Sequence, residues 1–248
     1  MTPPKTDPIY AIGDIHGQLT MLEDALARIV SDGGPDARVV FLGDLVDRGP
    51  DSRGVIDLLA RGVAEGRNWT VLKGNHDRMF ARFLAPTPVM ETGLLVGWDW
   101  FHENLGGRET LASYGVMITD QTRIHAAHAE ARAAVPRSHI DFMSGLPTHL
   151  VFQDKLFVHA GIRPGIALES QTEDDLVWIR EPFLGHSGPH PWLVVHGHTP
   201  LPQARHFGNR IDLDSGAGFG RPLTAAVIDE DGVFLLGPTG RTPLRPDH

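Results

Sequence analysis

The sequence predicts an α/β fold, with parallel strands joined by helical crossovers near the start and a strand-rich stretch near the end. Two observations carry that expectation. Short apolar runs alternate with helix-length amphipathic segments through the first third of the chain. Each of those runs stops at a Gly-Asp or Gly-Asn pair, at Gly13-Asp14, Gly43-Asp44 and Gly74-Asn75.

In chain order, residues 10–13 are a short apolar run that reads as a buried strand. Met21, Leu22, Ala25, Leu26, Ile29 and Val30 then recur at helical spacing, and the pattern ends at Gly33-Gly34. Residues 38–42 are a second β-rich run. Residues 51–64 read as a helix with Val55, Ile56, Leu58 and Leu59 apolar, 69–72 as the third strand and 77–84 as the next helix. Repeats of this length imply parallel strands, because a crossover between them needs a dozen or more residues. From 86 to 136 the pattern is less regular and mostly helical. Beyond it, 150–152 and 156–158 flank Asp154-Lys155 as a hairpin, and 193–195, 210–213, 223–228 and 233–236 are further strands. Asp231-Gly232 between the last two is a tight-turn signal. No linker divides the chain, so the expected organisation is a tail over residues 1–8 and one domain over 9–248.

Composition narrows the chemistry. The chain has 248 residues, 41% apolar and 21% charged, enough to bury a substantial core. It has no cysteine, which removes disulfides, thiolate metal sites and thiol nucleophiles together. Its 14 histidines leave imidazole and carboxylate as the ligands for any transition metal. A formal charge of −9 argues against a general nucleic-acid binder. No apolar run approaches the roughly 18 residues that span a bilayer, so no membrane role is expected. Residues 1–8 lack the apolar core of a signal peptide, and the expected location is cytoplasmic.

The unusual polar residues fall where a ligand would sit. Asp14 and His16 follow the first strand, Asp44, Asp47 and Arg48 the second, Asn75 and His76 the third. Ligands of open α/β sheets bind at the carboxyl ends of parallel strands, so three such ends point at one pocket. His159 and His198 each follow a later apolar strand and reach the same rim. A lone Gly-Asp after a strand is usually a turn, and a lone histidine in an apolar run is usually a core residue. Five such elements in one chain are hard to explain that way. Their chemistry suits a pair of divalent ions roughly 3.5–4 Å apart, which need a shared carboxylate and flanking nitrogen and oxygen ligands. Neutral imidazoles favour Mn, Fe or Zn over Mg or Ca.

Gly13-Asp14-Ile15-His16-Gly17, Gly43-Asp44-Leu45-Val46-Asp47-Arg48-Gly49, Gly74-Asn75-His76-Asp77, His159-Ala160-Gly161 and Gly197-His198-Thr199-Pro200 resemble the signature set of calcineurin-like metallophosphoesterases. Within it they resemble the phosphoprotein phosphatase family, in its small bacterial and phage form, over residues 13 to about 216. The resemblance implies a central β-sandwich flanked by helices, four layers in all. It implies Asp14 and His16 on one metal ion, Asp44 bridging, and Asn75, His159 and His198 on the second ion, with Mn2+ the first choice and Fe or Zn alternatives. It also implies His76 as general acid paired with Asp47, in-line attack by a hydroxide that the ions share, and phosphate contact from Arg48, from Arg180 in Trp178-Ile179-Arg180, and from Asn75. An unremarkable alternative for Arg180 is an ion pair with Glu173, Asp174, Asp175 or Glu181.

Several details narrow the branch. Lys73 stands where many relatives carry Arg, which loosens any phosphate contact there, and Asp77 stands where Glu is commoner. Asp214-Ser215-Gly216 resembles the family's Asp-Thr-Gly turn. Phosphodiesterase relatives carry Gly-His-x-His, but here Pro200 takes the second position, which points to a monoesterase. His196 precedes that motif and is expected behind the metal ligands rather than among them. The substrate expected is a phosphoserine or phosphothreonine protein or peptide, with phosphotyrosine or a small phosphorylated molecule also open, acted on by a monomer. The rival activity is hydrolysis of dinucleoside tetraphosphates; relatives with that activity tend to carry Ala at the position of Asp47. A reading of another class, a non-catalytic metal-binding module, would show a missing ligand or acid, and every expected position is filled. Specificity is expected from 86–136, where Trp98, Trp100 and Phe101 form either a platform over the site or ordinary core.

Overall fold

The computed structural model describes residues 7–247, so most of the tail expected over 1–8 lies outside the described residues. Strand β1 (Ile9–Ile12) is followed by α1 (Leu19–Gly33), β2 (Arg38–Phe41), α2 (Ser52–Ala64), β3 (Trp69–Val71) and α3 (Asn75–Phe83). The middle of the chain gives α4 (Gly107–Ser113), α5 (Ile124–Ala134) and α6 (Arg137–Ser144). Then come β4 (His149–Phe152), β5 (Lys155–Val158), α7 (Glu173–Trp178), β6 (Leu193–His196), β7 (Arg205–His206), β8 (Arg210–Asp212), β9 (Ala225–Asp229), β10 (Gly232–Gly237) and β11 (Gly240–Pro243).

These strands form two sheets, ordered β11-β10-β9-β1-β2-β3 and β4-β5-β6-β8-β7. In the first, β1, β2 and β3 are parallel; in the second, β5, β6 and β8 are. The period-two alternation of side chains builds the layers. Ile9 and Ala11 of β1 pack with Val40, Phe157, Val195 and Ile211 between the sheets. Tyr10 and Ile12 point the other way, onto Leu22, Ala25 and Ile29 of α1 and Val55, Ile56 and Leu59 of α2. The outer face of the second sheet is covered by Leu176 and Val177 of α7 and by Phe183. The expected four layers are therefore present, with a thick helical layer on one side and a thin one on the other.

Local differences from the expected elements have simple causes. Helix α3 begins at Asn75, two residues early, because the Asp77 carboxylate accepts the Gly74 N–H at 2.8 Å and caps the first turn. Edge strand β7 has two residues and edge strand β11 is exposed along its length, so no apolar alternation announces either. Between 86 and 136 only α4 and α5 are helical, and the residues before α4 run as turns. No helix among the described residues is long and apolar enough to cross a membrane.

Candidate active site

Six parallel strands, three from each sheet, end at one rim, and the loops that follow are laced together. The N–H groups of Ile15 and His16 donate to the Asp44 carbonyl at 3.1 and 2.8 Å. Within the second sheet the Gly197 N–H donates to the His159 carbonyl at 2.8 Å, and across the sandwich the His198 N–H donates to the Asp14 carboxylate at 3.1 Å. Gly74 has no Cβ for a steric reason: one would lie 2.1 Å from Asp44 Oδ1. His16, Asp44, Asp47, Arg48 and His198 all have positive φ, between 48° and 74°, which turns their side chains into the rim.

The rim opens into a cavity of about 390 Å³ lined by Asp14, Asp44, Arg48, Asn75, His76, Arg180, His198 and Asp214, with Leu94, Leu95, Trp98 and Phe219 on its apolar walls. Asp44 stands at its centre. Its Oδ2 is 3.5 Å from His16 Nε2 and its Oδ1 is 3.4 Å from His159 Nε2. Two groups that could each hold a metal ion share it: His16, Asp44 and His76, and Asp44, His159 and His198.

Hydrogen bonds fix which nitrogen of each ring is free. His16 Nδ1–H donates to the Val46 carbonyl and His159 Nδ1–H to the Leu42 carbonyl, both at 2.8 Å, leaving Nε2 lone pairs toward the cavity. Burial holds the His16 and His198 imidazoles well below the usual range and so keeps them neutral; Arg48 adds to this at His16, and His159 at His198. His159 Nε2 faces Asn75 Oδ1 at 2.9 Å, and His198 Nδ1 faces the same oxygen at 2.9 Å. Lone pairs of Asp44, Asn75 and His159 thus converge with no hydrogen between them. Burial, then the charges of Asp214 and Asp44, push the Asp14 carboxyl well above its usual range. Crowded acceptors and carboxylates are what a cation resolves, so these residues fit the divalent ions that the resemblance implies.

The second cluster is the pair Asp47–His76. His76 Nδ1–H donates to Asp47 Oδ2 at 2.6 Å, and His76 Nε2 is 4.0 Å from Asp44 Oδ2. Burial pushes the Asp47 carboxyl up to about 7, against the pull of its hydrogen bonds from Thr110 and Trp100. Burial also pushes the His76 imidazole down to about 3. The Arg48 guanidinium lies across this pair, donating to His76 Nε2 at 3.2 Å and contacting His16 Nε2, with the Phe219 ring 4.8 Å from its centre.

Of the expected site residues, Asp14, Asp44, Arg48, Asn75, His76, His198 and the exposed Arg180 line this cavity, while His16 and His159 stand beside Asp44 and Asp47 beside His76. Arg180 has no ion pair among the described residues: Glu173, Asp174 and Asp175 pair instead with Lys73, Arg78 and Arg163. Lys73 is therefore turned to Glu173 and does not line the cavity. Asp77 needs no extra reach, since its two oxygens accept the N–H groups of Leu45 and Gly74. Ser215 is equally settled, its hydroxyl donating to the Pro222 carbonyl at 2.6 Å. His196 is fully buried behind the rim, between the Gly197 carbonyl and Arg210, and touches no expected ligand.

Three partners of Asp47 were not expected from the sequence. Thr110 Oγ–H donates to Asp47 Oδ1 at 2.6 Å, Trp100 Nε1–H donates to Oδ2 at 2.9 Å, and Ser52 Oγ accepts the Asp47 N–H at 3.2 Å. Trp100 and Phe101 are core rather than platform, packed against Phe83 at 5.0 and 5.1 Å, while Trp98 lies on the cavity wall. The signal for this docking was Gly106-Gly107. A Cβ at Gly106, where φ is 92°, would lie 2.2 Å from the Arg48 N, and one at Gly107 would lie 2.6 Å from the Trp100 ring.

Comparison with known proteins agrees with this geometry. The family model for calcineurin-like phosphoesterases matches residues 7–226, and the chain belongs to that family. It is a metallophosphoesterase, and so a hydrolase of phosphate esters. Serine/threonine-protein phosphatase 1 of Salmonella typhimurium is 32% identical, covering 89% of this chain and 91% of the relative. The asymmetrical bis(5'-nucleosyl)-tetraphosphatase PrpE of Oceanobacillus iheyensis is 30% identical, covering 90% and 89%. The crystal structure of a cold-active protein-tyrosine phosphatase from a psychrophilic Shewanella superposes with a TM-score of 0.63, at 15% identity over 96% of this chain and 80% of the other. That last likeness is one of fold.

Proposed function

We propose that this chain is a protein phosphatase that hydrolyses phosphoserine and phosphothreonine monoesters, with phosphotyrosine as a further substrate. The observation that carries the reading is the Asp47–His76 pair, 2.6 Å apart beside Asp44, with two arginines on the same cavity. The likeness to the Salmonella phosphatase supports it. In this reading Asp14, His16 and Asp44 hold one divalent ion, and Asp44, Asn75, His159 and His198 hold the other. Mn2+ is the first choice, with Fe or Zn also compatible. When bound, the ions supply an acidified water as nucleophile and positive charge for the phosphoryl oxygens.

The rest of the chemistry belongs to the protein. Arg48 and Arg180 grip non-bridging oxygens, Arg48 leaving the imidazoles to do so, and Asn75 lies beside the same phosphate. Asp47, accepting from Nδ1–H, orients His76 and favours its imidazolium form, whose Nε2–H is the proton handed to the departing alkoxide. The apolar walls of Leu94, Leu95, Trp98 and Phe219 receive the residues beside the phosphorylated one. The setting assumed is a cytoplasmic monomer.

The likeness to PrpE favours a second reading, a dinucleoside tetraphosphatase whose adenine would rest on those same walls. Reconstituted protein should be assayed against a phosphoserine peptide, p-nitrophenyl phosphate, a bis-phosphodiester and diadenosine tetraphosphate. The phosphopeptide should give the highest kcat/KM. His76→Asn should lower its turnover by roughly 10²–10⁴-fold while metal content stays near wild type. A preference for the dinucleotide would sink the substrate assignment and leave the site intact.

A further inference from the structure

Asp47 accepts more hydrogen bonds than a positioning carboxylate needs, and they come from a part of the chain far from the strand ends. Oδ2 accepts from both His76 Nδ1 and Trp100 Nε1, at 2.6 and 2.9 Å, while Oδ1 accepts from Thr110 at 2.6 Å. Thr110 Oγ1 also accepts the Asp47 N–H at 2.8 Å. Because the single Thr110 hydroxyl hydrogen is spent on Asp47, Ser52 must be the donor in the Ser52–Thr110 contact at 3.1 Å. The proton count closes, with a donor assigned to every contact. Thr110 and Asp47 are fully buried, and the Trp100 ring is wedged beside Phe80 and Phe83, so none of the three can swing without repacking.

We infer that Trp100 and Thr110 are positioning residues for proton transfer: they lock the Asp47 carboxylate in one orientation and thereby hold the His76 imidazole on the line of the leaving oxygen. The inference rests on the acid role given to His76 above. Its consequence is that the loop and helix expected to supply specificity also govern how efficiently the leaving group is protonated. Buried groups that orient a reacting group by one remove typically change activity by about 10–100-fold when altered.

Leaving-group dependence separates this from simple scaffolding. A p-nitrophenolate leaves with little help from an acid, whereas a serine alkoxide needs the proton. Trp100→Phe keeps an aromatic ring but removes the N–H together with part of the indole, so it is read beside Thr110→Val, which keeps the shape and removes only the hydroxyl. Each should lower kcat on a phosphoserine peptide by roughly 10-fold or more, with KM and metal content unchanged and p-nitrophenyl phosphate nearly unaffected. Thr110→Ser should restore most of the loss. Equal losses on both substrates in each variant, with or without a lowered Tm, would make these residues scaffold and overturn the inference; unchanged kcat on both would do the same. His76→Asn measured in parallel tells the two levels apart. If it shows the leaving-group dependence and the two variants do not, the inference alone falls. If it shows none, the acid assignment falls first and takes the inference with it.

Discussion

The loops after the first three strands and the stretch from residue 86 to 136 meet at Asp47, but they arrive there by different means. The strand-end loops are fixed by the sheets themselves. Backbone hydrogen bonds tie the loop after β1 to the loop after β2, and each polar side chain leaves the end of a buried strand. The later stretch has no sheet beneath it. It is held by packing of Trp100, Phe101 and Tyr114 on α3 and by a few buried polar contacts. Identity matters at nearly every position in the first region. In the second, most positions fill space; Leu94, Leu95 and Trp98 wall the cavity, and Trp100, Thr110 and the Gly106-Gly107 pair dock on Asp47 and Arg48 behind it.

Substitutions can break that contrast. The largest effect belongs to Asp44, the one carboxylate shared by both candidate metal groups. Asp44→Asn should lose bound metal and activity together, measured by elemental analysis and by phosphatase assay on the same samples. Retention of two ions and full turnover would refute the assignment of the first region.

A smaller effect belongs to the joint between the regions. Arg78, on α3 just past His76, forms two hydrogen bonds to Glu91 at 3.1 and 2.9 Å and a third to Asp174 at 2.5 Å. Its side chain and that of Glu91 are only 4% and 3% exposed. Arg78→Met removes one member of a buried pair and should cost about 3 kcal/mol, at the low end of the usual range because Arg82 still holds Glu91 at 2.9 Å. Denaturant titration would measure it. If the two regions are built independently, the loss should fall on stability, with kcat/KM on p-nitrophenyl phosphate changed far less.

The smallest effect is a reference point in neither region. Asp32, at the end of α1, accepts two bonds from Arg241 of β11 and one from Tyr10, and Arg241 holds its carboxyl below the usual range. A depressed folded pKa contributes stability that is present above the unfolded value of about 3.9 and is lost as pH falls through the folded one. Asp32→Asn should therefore lower the urea midpoint slightly at pH 7, and the gap from wild type should close below about pH 4. A gap that stayed constant with pH would show that the charge on Asp32 is not what matters.

The same contrast explains what could be read in the sequence. Residues 13–17, 43–49 and 74–77 were legible because metal chemistry restricts residue type and a parallel strand restricts place, so the two agree on each position. The strands themselves were legible because burial on both faces leaves unbroken apolar runs, as in Ile9–Ile12. Nothing comparable marks Trp100 or Thr110. Their bonds to Asp47 depend on the path of turns across 53 and 63 residues of separation, and a tryptophan in an irregular stretch reads as core, which Trp100 also is. β7 and β11 escaped for the opposite reason, being edge strands too short or too exposed for any pattern.

The positive φ angles at His16, Asp44, Asp47, Arg48 and His198 have an evolutionary reading. Each such angle on a residue with a Cβ costs on the order of 1 kcal/mol. Glycine would adopt the same backbone freely, but at Asp47 it would also orphan the buried donors of Thr110 and Trp100. The trade is cleanest at Arg48, the member of the set that is not buried. A laboratory library screened for heat resistance with no demand for catalysis would admit glycine there first, and would become sturdier as it fell silent.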